Sequence, residues 1–149
     1  MAFWGDPITE PKRSYRWLFY LGGTDDLLQP FVVKTVKKPS FSQTPIEHQF
    51  VSHTFYYPGR ITWNTVEVTI VDPVEPDSAA VLRGILNTSG YRLPETYADA
   101  IPSMSKANSV AALGEPKIEQ IDAEGTTIEE WKLVNAFIES VDMGNLDYS

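Results

Sequence analysis

The chain of 149 residues predicts a mainly β fold, and three features lead there. Short runs of strand-forming residues recur between glycine, aspartate and proline, as strands do between turns. Two stretches, 61–71 and 126–141, carry such residues for more than ten positions. A single segment, 75–88, repeats its apolar residues at the spacing of an amphipathic helix. A chain of this length forms one domain, 1–149, and buries roughly two thirds of the surface that its unfolded form exposes.

The elements follow in order. Residues 1–14 contain Pro7 and Pro11, which forbid helix and central strand, so they predict an extended arm with few anchors of its own that packs on a neighbour, where Phe3 and Trp4 become protected. "YRWLFYL" is a first strand, and "GGTDD" supplies the dihedrals of a tight turn. "FVVKTVKK" is a second strand, and Lys37 and Lys38 form its solvated end. Residues 39–60 predict a projecting loop or hairpin: "SFSQTP" as loop, "HQFVSHTFYY" as strand, and Pro58-Gly59 closing it.

Along 61–71 the apolar phase slips. Ile61 and Trp63 share one face while Val66, Val68 and Ile70 share the other. A strand with period two does this only through a bulge or a change of partner near Thr65. In the helix, Asp72, Glu75 and Asp77 enrich the first turn, Pro76 suits an initial position and Gly90 a stop. The stripe Val81, Leu82, Ile85 and Leu86 predicts a helix seated on a sheet. "SMSKANSVAAL" is weakly helical and ends at Gly114. "KIEQI", the turn at Asp122 and Gly125, and a long arm over 126–141 complete the pattern. In that arm Trp131, Leu133 and Phe137 oppose Val134, Ala136 and Ile138, which requires cover on both faces.

Composition excludes several functions. No cysteine is present, so there is no disulfide framework and no thiol nucleophile. Twelve basic against twenty acidic residues give a net charge of −8, the wrong sign for holding nucleic acid by counterion release. No run suits a signal peptide or a membrane span, which predicts a soluble, unexported protein. His48 and His53, five apart, are expected on opposite faces of a strand and without a third ligand, so no metal is expected. Glu129 and Glu130 are adjacent and point apart, which disqualifies them as an acid/base pair. No nucleotide-binding or nucleophile motif occurs, and neither an enzyme nor a cofactor is expected. The rings Tyr56, Tyr57 and Trp63 leave a carbohydrate-binding platform as an alternative.

The ordered series "KRSYRWLFYL", "FVVKTVKKPSF", "HTFYYPGRITWNTVEVTIVDPVEPD", "ILNTSGY", "SMSKA" and "EEWKLVNAFIESVDMGNLDYS" resembles the tail tube proteins of contractile-tailed bacteriophages, above all those of cyanophages. The resemblance covers nearly the whole chain and rests on order and spacing. It implies a β-sandwich-like subunit with a flanking helix, in hexameric rings that stack into a tube lined by a joint β-barrel; the family's closing strand follows the segment that ends here at Ser149, so it either lies beyond that residue or is supplied differently. Its partners would be further copies of itself and the sheath, baseplate and neck or terminator proteins. Double-stranded DNA would pass without specific binding, and no membrane would be involved. The location would be the virion, and the host cytoplasm during assembly. A tube initiator or terminator would share the fold. On this reading His48, Phe50, His53, Phe55, Tyr56, Tyr57 and Arg60 belong to the ring-stacking contact. Glu119, Glu129, Glu130 and Glu139 are candidates to line the lumen and make it negative.

Overall fold

A computed structural model describes residues 5–22, 28–75 and 77–148. Phe3 and Trp4 of the arm, most of the turn at 22–26 and the expected helix-starting Pro76 lie outside them. The described residues are mainly β: three antiparallel sheets accompanied by two α-helices, and none of these sheets closes into a barrel.

The body is built from two of the sheets. β1 (Trp17–Tyr20), β6 (Lys117–Ile121) and β7 (Thr127–Lys132) form one, in the order β1-β6-β7. β2 (Val33–Val36) and β5 (Val68–Ile70) form the other. Their inward side chains meet in one cluster, where Phe19, Leu28, Val32, Val33 and Ile118 are buried and Trp17, Val36, Val68, Ile70 and Trp131 pack around them. The alternation is regular: Phe19 lies opposite Ile118 and Ile118 opposite Trp131. One face of the sheet is thereby apolar. The β6–β7 turn forms as its residues dictate. Asp122 Oδ1 accepts from the amides of Glu124 and Thr126, and Gly125 takes a φ of 85°.

The second expected strand is shorter than its sequence suggests. Pro30 opens one 3-10 turn, Pro30–Val32, and only then does β2 begin. The slip near Thr65 is a change of partner. The 61–71 stretch divides into the end of β4 (His53–Trp63) and β5, which pair with β3 (Phe41–Phe50) and β2 respectively.

α1 (Ser78–Thr88) is capped by Asp77, whose side chain accepts from the Ala79 amide at 3.0 Å. It packs chiefly against α2 (Lys106–Leu113) and not on a sheet as the stripe predicts. Ile85 is buried and Val81 and Leu82 half-buried, whereas Leu86 is exposed, because a single facing helix covers a narrower stripe than a sheet would. Gly90 ends this helix at a φ of 113°, and a Cβ there would stand 2.9 Å from the Ser103 carbonyl oxygen. The 126–141 arm is strand only as far as Lys132. The Leu133 amide donates to the carbonyl of Pro116, where the partner strand runs out, and Asn135 at a φ of 56° then redirects the chain. No helix among the described residues is long and apolar enough to cross a membrane.

Candidate self-assembly surface

The remaining sheet is the hairpin β3–β4, a two-stranded ribbon joined to the body at its base, where the Asn64 amide donates to the Ser40 carbonyl at 2.9 Å. Strands of this length reach roughly 30 Å at about 3.3 Å per residue. Apart from half-buried Gly59, every residue of both strands is exposed, including Phe41, Ile46, Phe50, Phe55, Tyr56, Tyr57, Ile61 and Trp63. An isolated two-stranded ribbon is at best marginal in water, and so many exposed rings on one element make it the candidate interaction surface.

Pro58-Gly59 does not close this element; it sits inside β4. The reversal is at Val51-Ser52, between the paired Phe50 and His53. Val51 takes a φ of 53°, a left-handed conformation that is costly for a β-branched residue. Gly59 serves a bulge instead. The register shifts between Gln43 and Pro45, so that Gly59 and Arg60 together oppose Thr44, and a Cβ on Gly59 would lie 2.0 Å from the Thr44 carbonyl oxygen. Only glycine fits this crossing.

The bulge decides which rings share a face. Outward of it, Ile46 lies opposite Tyr57, His48 opposite Phe55 and Phe50 opposite His53, all on one face. His48 stands 6.4 Å from Tyr57 and His53 6.4 Å from Phe55, centroid to centroid. The two histidines therefore share a face, contrary to the parity argument, because a two-residue turn lies between them. The opposite face carries Glu47 beside Tyr56, Pro45 beside Pro58, and at the base Phe41 edge-on to Trp63 at 5.3 Å. Tyr57 is thus separated from Tyr56 and Trp63, and these three rings do not form one sugar-stacking platform. No cluster of His, Asp or Glu able to hold a metal occurs among the described residues.

Two prolines opposite each other can only occupy a pair whose missing N–H groups point away from the partner strand. Both outer edges of the ribbon are therefore blunted at that level, and its faces, with their rings, are what it offers a partner.

The four candidate glutamates do not form one row. Glu119 and Glu130 oppose each other on the outward face of β6–β7. Each is paired along its own strand, Glu119 with Lys117 at 3.1 Å and Glu130 with Lys132 at 3.3 Å, so this face is electrically balanced. The hydrogen bond to Glu119 raises the Lys117 pKa. Glu129 points the other way, opposite Gln120 on the core side. It accepts from Lys12, Lys38 and the Trp131 indole. These donors, Lys12 foremost, hold its carboxyl at about 2 against an ordinary 4.5. Glu129 is consumed inside the subunit and is not a free wall charge. Glu139 lies on the segment after β7 and accepts from Thr65 at 2.8 Å.

The Glu129 clasp also corrects the arm. Lys12 binds Glu129, and Gln120 donates to the Arg13 carbonyl at 3.1 Å, so the inner end of the arm is fastened to its own sheet. Beside the clasp is a cleft of about 420 Å³ with Trp17 and Trp131 among its walls. Sequence reasoning missed it, because its residues come from the arm and four strands that are distant in the chain. No protein-family model matches this sequence, and no curated protein matches it.

Proposed function

We propose that this chain is a structural subunit that assembles with copies of itself into a tube, as the major tail tube protein of a contractile-tailed phage does. The observation that carries the reading is the β3–β4 ribbon, a long element whose rings stay exposed among the described residues. A second copy is the natural cover: heterologous contacts repeated by rotation close a ring, and an axial contact that never closes stacks rings. On this reading hexameric rings stack through Phe50, Phe55, Tyr57 and their neighbours, and sheet edges from adjacent copies complete a joint barrel.

Glu119 and Glu130 are the two candidates for the channel wall, since they share a solvent face. With Lys117 and Lys132 paired to them, that wall offers no uncompensated cation to DNA phosphates. Sheath, baseplate and neck proteins are the partners this role entails. Negative-stain microscopy of the purified protein is the test. Hollow rings stacked into tubes are expected, single rings that do not stack would move the assignment to an initiator or terminator, and particles that stay monomeric at every concentration would refute self-assembly.

A further inference from the structure

The segment after β7 is largely uncovered, and wholly so from Glu139 to Tyr148. Among the described residues, no main-chain hydrogen bond joins 134–146 to the rest of the subunit. Ala136 and Ile138 are half-buried, but Val134, Phe137, Val141 and Met143 are exposed, and Leu146 and Tyr148 are fully so. Residues 133–148 contain Glu139, Asp142 and Asp147 and no lysine or arginine. The cleft beside Glu129 has the opposite character. Trp17, Trp131 and Val36 give it apolar walls over Ile118, and the rim holds Lys12 and Lys38 against the single carboxylate of Glu129, a local excess of positive charge. On a chain with a net charge of −8, such a place is an exception.

We propose that this cleft is a docking site for residues 142–148 of a second copy, with Leu146 and Tyr148 seated between Trp17 and Trp131 and the acidic segment beside Lys12 and Lys38. Charge selects this occupant over the ribbon, whose strands hold only Glu47 and Arg60 as full charges and are neutral. Chemistry agrees: an aromatic and an aliphatic anchor enter an apolar cleft of about 420 Å³ while acids stay at its cationic rim. The contact is heterologous, each copy giving one segment and receiving another, so it propagates from copy to copy. It rests on the self-assembly reading and adds to it a contact separate from the ribbon.

The absence of cysteine makes the test clean. Ser14 lies in the cleft wall and is exposed, and Asn145 is exposed beside Leu146. Full-length Ser14→Cys and Asn145→Cys proteins are mixed and treated with a short bis-maleimide. The mixture is expected to give a cross-linked dimer well above either protein alone. The yield should fall as salt is raised, and by more than about tenfold when Leu146→Ala and Tyr148→Ala are added to the Asn145→Cys chain. Both of these side chains are fully exposed, so their truncation leaves the subunit core intact. Cross-linking within one chain in a dilute Ser14→Cys/Asn145→Cys protein, with none between chains, would overturn the proposal. Microscopy of the same samples separates the two ideas. Tubes without the cross-link would remove this contact and leave the tube, whereas the cross-link in particles that never form rings would support the contact and remove the tube.

Discussion

The body and the ribbon are made by the same local rule and meet opposite fates. In both, antiparallel strands place large apolar residues opposite one another: Phe19 faces Ile118 in the body, and Phe41 faces Trp63 in the ribbon. Phe19 is 3% exposed and Trp63 is 61% exposed. Pairing fixes which side chains are neighbours but does not bury them; burial needs a second layer, which β2–β5 gives β1-β6-β7 and no described sheet or helix gives the ribbon. On the proposed reading, the free energy that holds the ribbon in shape comes largely from outside the subunit.

Changes at four places test this contrast. The largest effect belongs to the body: Phe19→Ala should destabilise the subunit by about 3–5 kcal/mol in urea melts, through lost burial and the cavity left behind. The ribbon equivalent, Phe55→Ala with Tyr57→Ala, should leave that melt within about 0.5 kcal/mol of the parent, as exposed positions do. Tube formation should nevertheless be lost, since buried aromatic anchors are each worth about 2 kcal/mol or more at an interface. Tyr56→Ala alone reports the other face, and a loss of assembly there as large as for Tyr57→Ala would mean that both faces are covered.

The third change tests the fastening of the arm. The Glu129 pKa is depressed, so its contribution is fully present above the ordinary value near 4.5 and disappears as pH falls toward about 2. The protection of the amides around Lys12 to Arg16, taken relative to the intrinsic exchange rate at each pH, should fall as pH drops through that window, and Glu129→Gln should abolish that fall. The ribbon, with no part in the clasp, should not respond. The smallest effect is at the ribbon tip, where Val51→Asn relieves a left-handed valine and should stabilise the hairpin locally by about 1 kcal/mol, read as slower exchange of its cross-strand amides.

The body was legible because its signals are local. Asp122 and Gly125 announce their turn, Asp77 its helix, and the phase slip near Thr65 its change of partner. The ribbon was misread where local signals mislead. Pro58-Gly59 has turn chemistry but is used for a bulge against Thr44, and the true turn, Val51-Ser52, contains no turn former. Pro39, Ser40, Gln43 and Pro45 read as loop, yet a ribbon whose strands are both edges tolerates proline. The histidine parity failed for the same hidden turn. After Lys132 the alternation continues on paper, but the partner strand has ended at Pro116, a fact about another part of the chain. The Glu129 clasp combines residues more than a hundred positions apart, which no spacing rule detects.

Hydrogen exchange of dilute subunit against assembled protein tests the central claim most directly. If the ribbon is held by neighbouring copies, its cross-strand amides in Phe41–Phe50 and His53–Trp63 exchange fast in the dilute subunit and become strongly protected on assembly, while Phe19 and Ile118 stay protected in both states. Equal, strong protection of the ribbon in the dilute monomer would contradict the account, because the ribbon would then be stable without any partner.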